Sequence, residues 1–461
     1  MKILTKRAYA LLGLSVLLIA GIFVFIIKYI NNASDWVQHP TNKHLFINGQ
    51  LQTTGKIFDR KGETLLQTVE GVHKYHSDLT VRKAVMHAIG DSYGNIVTSA
   101  QVAFGDRLSG WNLVNGAYRF NAQRYKPGSD MTLTLDAEVC AEAYKAMNGR
   151  KGAVGVYNYK TGEIICMVST PTFDPENRPD IMGNPDKYEG VYINRLLSAA
   201  YTPGSVFKLV TAEAAIETIQ EIDSRTFECR GEKIIDGDRV TCPTSHGNIT
   251  FKQALANSCN VAFAEIALEI GSSTLQKYAD KAGFNSSYKV DGISTFVGKA
   301  DISDAEGGEL AWAGIGQYSN TANPMNFMTY VGAIANDGVR VSPTIIKNHN
   351  GISSLLSGLV SKGDRVIAKE TAAILEMMMR NNTIEVYGER NFEGLELCAK
   401  SGTAEVGGGL TPHAWFAGYM DRDDCPLAFV VIVENGGSGS KVAGFVAGKV
   451  LRKAVDRILI E

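Results

Sequence analysis

The sequence predicts an α+β fold: an antiparallel sheet flanked by helices, with an all-helical subdomain, preceded by a membrane anchor and a small pedestal domain. Three observations carry this expectation. Two strand-pair signatures stand near opposite ends of residues 151–461, a mostly helical stretch separates them, and an apolar run opens the chain. The 461 residues leave room for two or three domains. A hydrophobic fraction of 45% with 20% charged residues excludes long disorder. The net charge of −2 points away from a nucleic-acid partner.

From Ala8 to Ile27 no residue is charged. At about 1.5 Å per residue such a run spans roughly 30 Å, the hydrocarbon thickness of a bilayer. Lys2, Lys6 and Arg7 precede it, which places the short N-terminus in the cytoplasm and residues from about 28 onward on the other side. A cleaved signal peptide is the alternative, but its apolar core is usually only about 7–15 residues, and no small-x-small site follows. The expected plan is therefore a cytoplasmic tail (1–7), a transmembrane anchor (8–27), a non-catalytic pedestal (28–150) and the main domain (151–461). Cytoplasmic chemistry dependent on ATP or NAD is not expected. No G-K pair is followed by Ser or Thr, so there is no P-loop.

In the pedestal, Pro127-Gly128-Ser129-Asp130 reads as a turn and Met131–Asp136 as a strand ending at a helix cap. Five histidines (His39, His44, His73, His76, His87) fall in this region without the spacing of a metal site. Gly152–Asn158 and Glu163–Ser169 form a hairpin about Tyr159-Lys160-Thr161-Gly162, and Ala414–Met420 pairs with Leu427–Glu434 about Asp421–Asp424. Leu255–Ile270 and Asn326–Asn336 read as helices. A last helix stacks Val442, Val446, Val450, Ala454 and Ile458.

Three short segments carry candidate chemistry. In Ser205-Val206-Phe207-Lys208 the lysine stands one helical turn from the serine, so its amine can approach the hydroxyl. A lysine serves as base once burial and a nearby cation lower its pKa. Ser258-Cys259-Asn260 needs a loop or helix junction for its two polar side chains to act together. Lys400-Ser401-Gly402-Thr403 reads as a strand offering a cation, hydroxyls and a glycine that admits close approach. Each has a bland alternative: an N-cap serine with a surface lysine, a loop, or an edge-strand lysine.

Taken in this order, the three segments resemble the S-x-x-K, S-x-N and K-[TS]-G motifs of the penicillin-recognising serine acyltransferases, which comprise penicillin-binding proteins and serine β-lactamases. Asn194-Arg195, Tyr201-Thr202-Pro203-Gly204, His246-Gly247, Gly314-Ile315-Gly316-Gln317, Asn323-Pro324, Ala333–Asn336 and Trp415–Tyr419 are similar to the family's flanking text. The likeness covers about 130–461. Gly55–Leu65 resembles the N-terminal box of class B penicillin-binding proteins, departing from it at Lys56. Too few residues precede the first hairpin for the glycosyltransferase domain of class A members, and no E-x-x-x-N follows Ser258 as in class A β-lactamases.

The resemblance implies a serine β-lactamase/transpeptidase-like fold and a D,D-transpeptidase acting on D-Ala-D-Ala stem peptides, acylated by β-lactams, with no cofactor and no metal. A D,D-carboxypeptidase, a class D-like β-lactamase and a non-catalytic scaffold for a polytopic glycosyltransferase partner are the alternatives. It implies Ser205 as nucleophile, Lys208 as base, Ser258 as proton relay and Lys400 as carboxylate-binding cation. Asn260, Ser401, Gly402 and Thr403 would bind substrate, and the N–H groups of Ser205 and Thr403 would form the oxyanion hole. Seven cysteines without a C-x-x-C lack the usual zinc spacing. Cys229 and Cys242, around a hairpin at Lys233–Val240, are either a disulfide or buried free thiols, and Cys259 is a small buried residue.

Overall fold

The computed structural model describes residues 2–37, 46–47, 50–51, 55–70, 72–109, 129–347 and 363–459. The turn residues Pro127 and Gly128, together with His39 and His44, lie outside them.

The main sheet has five antiparallel strands in the order Leu397–Ala404, His413–Met420, Leu427–Val433, Gly152–Asn158, Ile164–Thr170. Both strand-pair expectations are met to within a residue or so. Every residue of Leu427–Val433 and Ile164–Thr170 is buried, which explains apolar runs without alternation: both faces are covered. Helices Ala137–Met147 and Gly444–Ile458 pack on each other and on the sheet, and Pro324–Ala335 packs across three of its strands. Arg457 binds Asp136 at 2.9 Å and Glu138 at 2.7 Å, tying the last helix to the start of Ala137–Met147. Asp136 also caps Ala137–Met147 through the N–H groups of Glu138 and Val139. That helix packs both on the pedestal helix Leu79–Ile89 and on the main sheet and last helix, at the boundary near 150 of the expected plan.

Helices Lys208–Thr218, Phe251–Ala256, Asn260–Ile270, Ser272–Ala282, Gly307–Gly314 and Lys369–Asn382 make the helical part. Two antiparallel ribbons interrupt it, Thr226–Cys229 with Gly247–Thr250, and Glu232–Ile235 with Asp238–Thr241. The second is the hairpin read around Lys233–Val240. The helix expected over Leu255–Ile270 is two helices, broken at 257–259.

A second five-stranded sheet runs Ile346–Lys347, Met131–Leu133, Ile57–Phe58, Thr64–Val69, Val72–Tyr75. Its outer strand comes from far along the chain and knits the pedestal to the main domain. The N-terminal box forms a tight turn here. Fully buried Asp59 accepts the N–H groups of Lys61 and Glu63 at 2.9 and 2.8 Å and that of Ala137 at 3.2 Å. At the front, helix Lys2–Val37 contains the stretch Thr5–Lys28, of mean hydropathy 2.9 and fully exposed, long and apolar enough to cross a bilayer.

Removing the Asp59 carboxylate leaves three main-chain donors unpaired at the joint between the two sheets. Asp59→Ala should cost about 3 kcal/mol. Thermal unfolding of the detergent-solubilised chain should show this as a fall in Tm of several degrees.

Candidate active site

The local sequence explains why the three polar segments meet. Before Ser205, Trp415 Nε1 donates to the Thr202 carbonyl at 2.9 Å, and Glu434 accepts from Arg195 at 2.6 Å and from Tyr201 at 2.8 Å. Asn323 holds the carbonyls of Leu197 and Ala199 at 3.0 and 2.8 Å. The lead-in is thereby pinned to the sheet. Gly204 then takes a left-handed φ of 54° and turns the chain into the short helix Gly204–Phe207, which starts at Ser205's door. A side chain at Gly204 would press on the backbone of Thr403 and Ala404, so the Ser205 turn lies directly against the edge strand.

Ser258 owes its position to a helix ending. The Cys259 N–H bonds the Ala254 carbonyl at 2.9 Å and the Ser258 N–H bonds the Leu255 carbonyl at 3.2 Å. These are the two bonds of a Schellman motif, with Ser258 at the left-handed position (φ 53°) that glycine usually fills. Cys259 caps the next helix, whose first residue is Asn260. Ser258 and Asn260 therefore sit at the helix junction that the S-x-N spacing required.

Lys208, wholly buried, points its Nζ at that junction, 2.6 Å from the Ser258 carbonyl, 3.1 Å from Ser258 Oγ and 2.7 Å from Asn260 Oδ1. Lys400, equally buried on the edge strand, places its Nζ 3.1 Å from the same Ser258 Oγ and 2.9 Å from the Ser401 carbonyl. One hydroxyl thus bridges two amines. Neither lysine forms an ion pair with a carboxylate among the described residues. Burial pushes Lys208 down to about 7, and burial together with the neighbouring Lys208 holds Lys400 well below the usual lysine range.

Ser205, Asn260 and Thr403 line one cavity of about 210 Å³ with Trp312, Gln317 and Thr241. Gly402 meets the Pro203 carbonyl so closely that a side chain there would clash. Two details depart from expectation. The Lys208 amine turns to Ser258 and Asn260, and among the described residues Ser205 Oγ makes no hydrogen bond. Asn260 uses its amide on Lys208 and on the Thr241 carbonyl (2.7 Å), so it positions the Lys208 amine at the edge of the cavity.

Ser401 is engaged by Tyr387, whose hydroxyl bonds both the Ser401 hydroxyl (3.1 Å) and its N–H (2.8 Å). Tyr387 was missed: it sits in a wide helical turn with no spacing signal linking it to Ser401. In this structure Cys229 and Cys242 are free thiols with their sulfurs 3.7 Å apart, against a disulfide length of about 2.05 Å. Among the described residues the pedestal histidines form no ligand group. His87 is buried against the Val191 carbonyl, and burial takes both His73 and His87 down to about 4.

The antiparallel sheet with its serine, paired lysines and S-x-N junction is that of a penicillin-interacting serine acyltransferase. Residues 152–455 match the family described as "Penicillin binding protein transpeptidase domain", and the chain belongs to that family. Peptidoglycan D,D-transpeptidase PbpA of Mycolicibacterium smegmatis is 26% identical over 383 residues, 77% of each chain. The ceftriaxone acyl-enzyme of Mycobacterium tuberculosis penicillin-binding protein A superposes with a TM-score of 0.73 at 21% identity, covering 88% of this chain and 98% of that one. The Helicobacter pylori PBP2 in complex with MreC gives a TM-score of 0.61 at 22% identity, covering 72% and 65%. At such identities the two superpositions speak for the fold alone.

With Lys208 near 7 against its ordinary 10.5, the unfolded chain binds more protons than the folded one between those values. Stability therefore rises with pH across that window. The Tm of the wild type should climb from pH 7.5 to 9.5 more steeply than that of Lys208→Met, which lacks the titrating amine.

Proposed function

We propose that the chain is a membrane-anchored peptidoglycan D,D-transpeptidase that cross-links stem peptides through an acyl-enzyme on Ser205. The observation that carries this reading is that Asn260, which lines one cavity with Ser205 and Thr403, accepts from Lys208 at 2.7 Å, in a cluster where Ser258 Oγ stands 3.1 Å from the amines of both Lys208 and Lys400.

Ser205 Oγ attacks the carbonyl of the penultimate D-Ala, and its proton passes to neutral Lys208. The N–H groups of Ser205 and Thr403 hold the oxyanion. The C–N bond then breaks, the leaving D-Ala amine takes a proton from Ser258 Oγ, and Ser258 recovers it from Lys208 at 3.1 Å. The terminal carboxylate lies against the hydroxyls of Thr403 and Ser401 beside Gly402, in the positive potential of Lys400. Asn260 holds Lys208 and borders the substrate. An amine from a second stem peptide reverses the sequence and closes the cross-link. β-Lactams acylate the same serine.

The plan places residues 1–7 in the cytoplasm, 8–27 in the membrane, and the pedestal (28–150) and transpeptidase domain (151–461) outside it. A polytopic glycosyltransferase is the partner proposed for the anchor and pedestal.

Fluorescent penicillin should label the wild type and not Ser205→Ala, with mass spectrometry locating the adduct on Ser205. Lys208→Ala should slow acylation about 100- to 10,000-fold. With a D-amino acid acceptor present, the transpeptidation product should exceed the hydrolysis product, which separates this reading from a carboxypeptidase. Labelling that persists in Ser205→Ala would overturn the assignment.

A further inference from the structure

Beside the catalytic cleft, four side chains unused by the proposed reaction converge. Cys229 ends one strand of a ribbon, Cys242 follows the hairpin strand Asp238–Thr241, His246 precedes strand Gly247–Thr250, and Cys259 caps the helix that begins with Asn260. One donor atom from each lies within 4.8 Å of all the others. The Cys242 sulfur is 3.7 Å from that of Cys229 and 3.8 Å from that of Cys259.

We propose that Cys229, Cys242, His246 and Cys259 form a structural zinc site that fixes the Ser258–Asn260 junction. A tetrahedral zinc with Zn–S bonds of about 2.3 Å has S···S edges of about 3.8 Å, which these separations match. Two further observations favour an ion over packed thiols. The Nδ1 of His246 is buried with no hydrogen-bond partner. Main-chain N–H groups are aimed at the sulfurs: those of Asn260 (3.1 Å) and Val261 (3.5 Å) at Cys242, and that of Ala262 (3.4 Å) at Cys259. Donors of this kind support metal-bound thiolates. A disulfide, by contrast, joins only two of three mutually close sulfurs and leaves the imidazole unexplained.

Three soft thiolates and one imidazole in a closed tetrahedron select zinc over harder cations. Binding displaces the thiol protons to solvent and forms three Zn–S bonds and one Zn–N bond, with no change of oxidation state. The absent C-x-x-C is no obstacle, because the fold draws the ligands from four separate elements. With all four positions filled by protein, the ion has no open site for substrate. Its effect is positional: Cys259 lies between Ser258 and Asn260, so the ion clamps the start of their helix to the ribbon.

Metal binding stands apart from the proposed reaction; only the positioning role rests on it. Full-length chain purified in detergent without chelators should carry about one zinc per molecule by elemental analysis. Cobalt in its place should show the intense visible bands of a tetrahedral thiolate site. Cys242→Ser/His246→Ala should lose the metal and acylate with penicillin about 10-fold or more slowly. His246→Ala alone, changing a half-buried residue, serves if the double variant does not fold. Wild-type zinc no higher than in the variants, or a Cys229–Cys242 disulfide found by mass spectrometry, would overturn the site. Bound zinc without Ser205 labelling would leave the site standing and remove the reaction, and labelling without zinc would do the reverse.

Discussion

The structure turns on two primary amines buried in one pocket without a carboxylate to neutralise them. Burying a charge unpaired is costly, so the pocket favours a neutral amine at a pH where an exposed lysine is fully protonated. Lys208 compensates through the Ser258 carbonyl, Ser258 Oγ and Asn260 Oδ1. Its Nζ also stands 5.6 Å from the centre of the Phe263 ring, a face that attracts the cation when the proton is on. The amine is thus balanced between two protonation states, the condition a general base requires. Lys400 shares the same hydroxyl, and the neighbouring Lys208 adds to burial in holding its amine well below the usual lysine range.

That arrangement dictates much of the surrounding backbone. Ser258 occupies a left-handed position that costs a non-glycine residue about 1–2 kcal/mol. The cost is borne because this helix-ending position brings the serine's carbonyl and hydroxyl both to Lys208. Gly204 and Gly402 follow the same logic from the other side: the Ser205 turn and the edge strand approach more closely than any side chain permits. The clamps on Arg195, Tyr201 and Trp415 hold that approach from behind.

The catalytic sheet was legible in the sequence because its hairpins are local, with turn residues between long apolar runs. The three polar segments were legible only as an ordered set, each alone being ordinary. What could not be read depended on distant pairing. Leu255–Ile270 carries a continuous helical pattern, and the left-handed turn at Ser258 that breaks it stands at a residue whose type does not announce such a turn. Strand Ile346–Lys347 is two residues long and joins a sheet whose other strands lie more than two hundred residues earlier. Tyr387 reaches Ser401 across a wide turn, and the three cysteines with His246 meet through ribbons whose register no spacing rule predicts.

The central claim is that Lys208 acts as the base because burial lowers its pKa. Its most direct test is the second-order rate constant for penicillin acylation of the wild type as a function of pH. With the amine pushed down to about 7, the rate should rise about tenfold per pH unit below that value and level off above it. A rate that stays flat from pH 5.5 to 9 would contradict the account, because the proton would then be leaving Ser205 for some group other than this lysine.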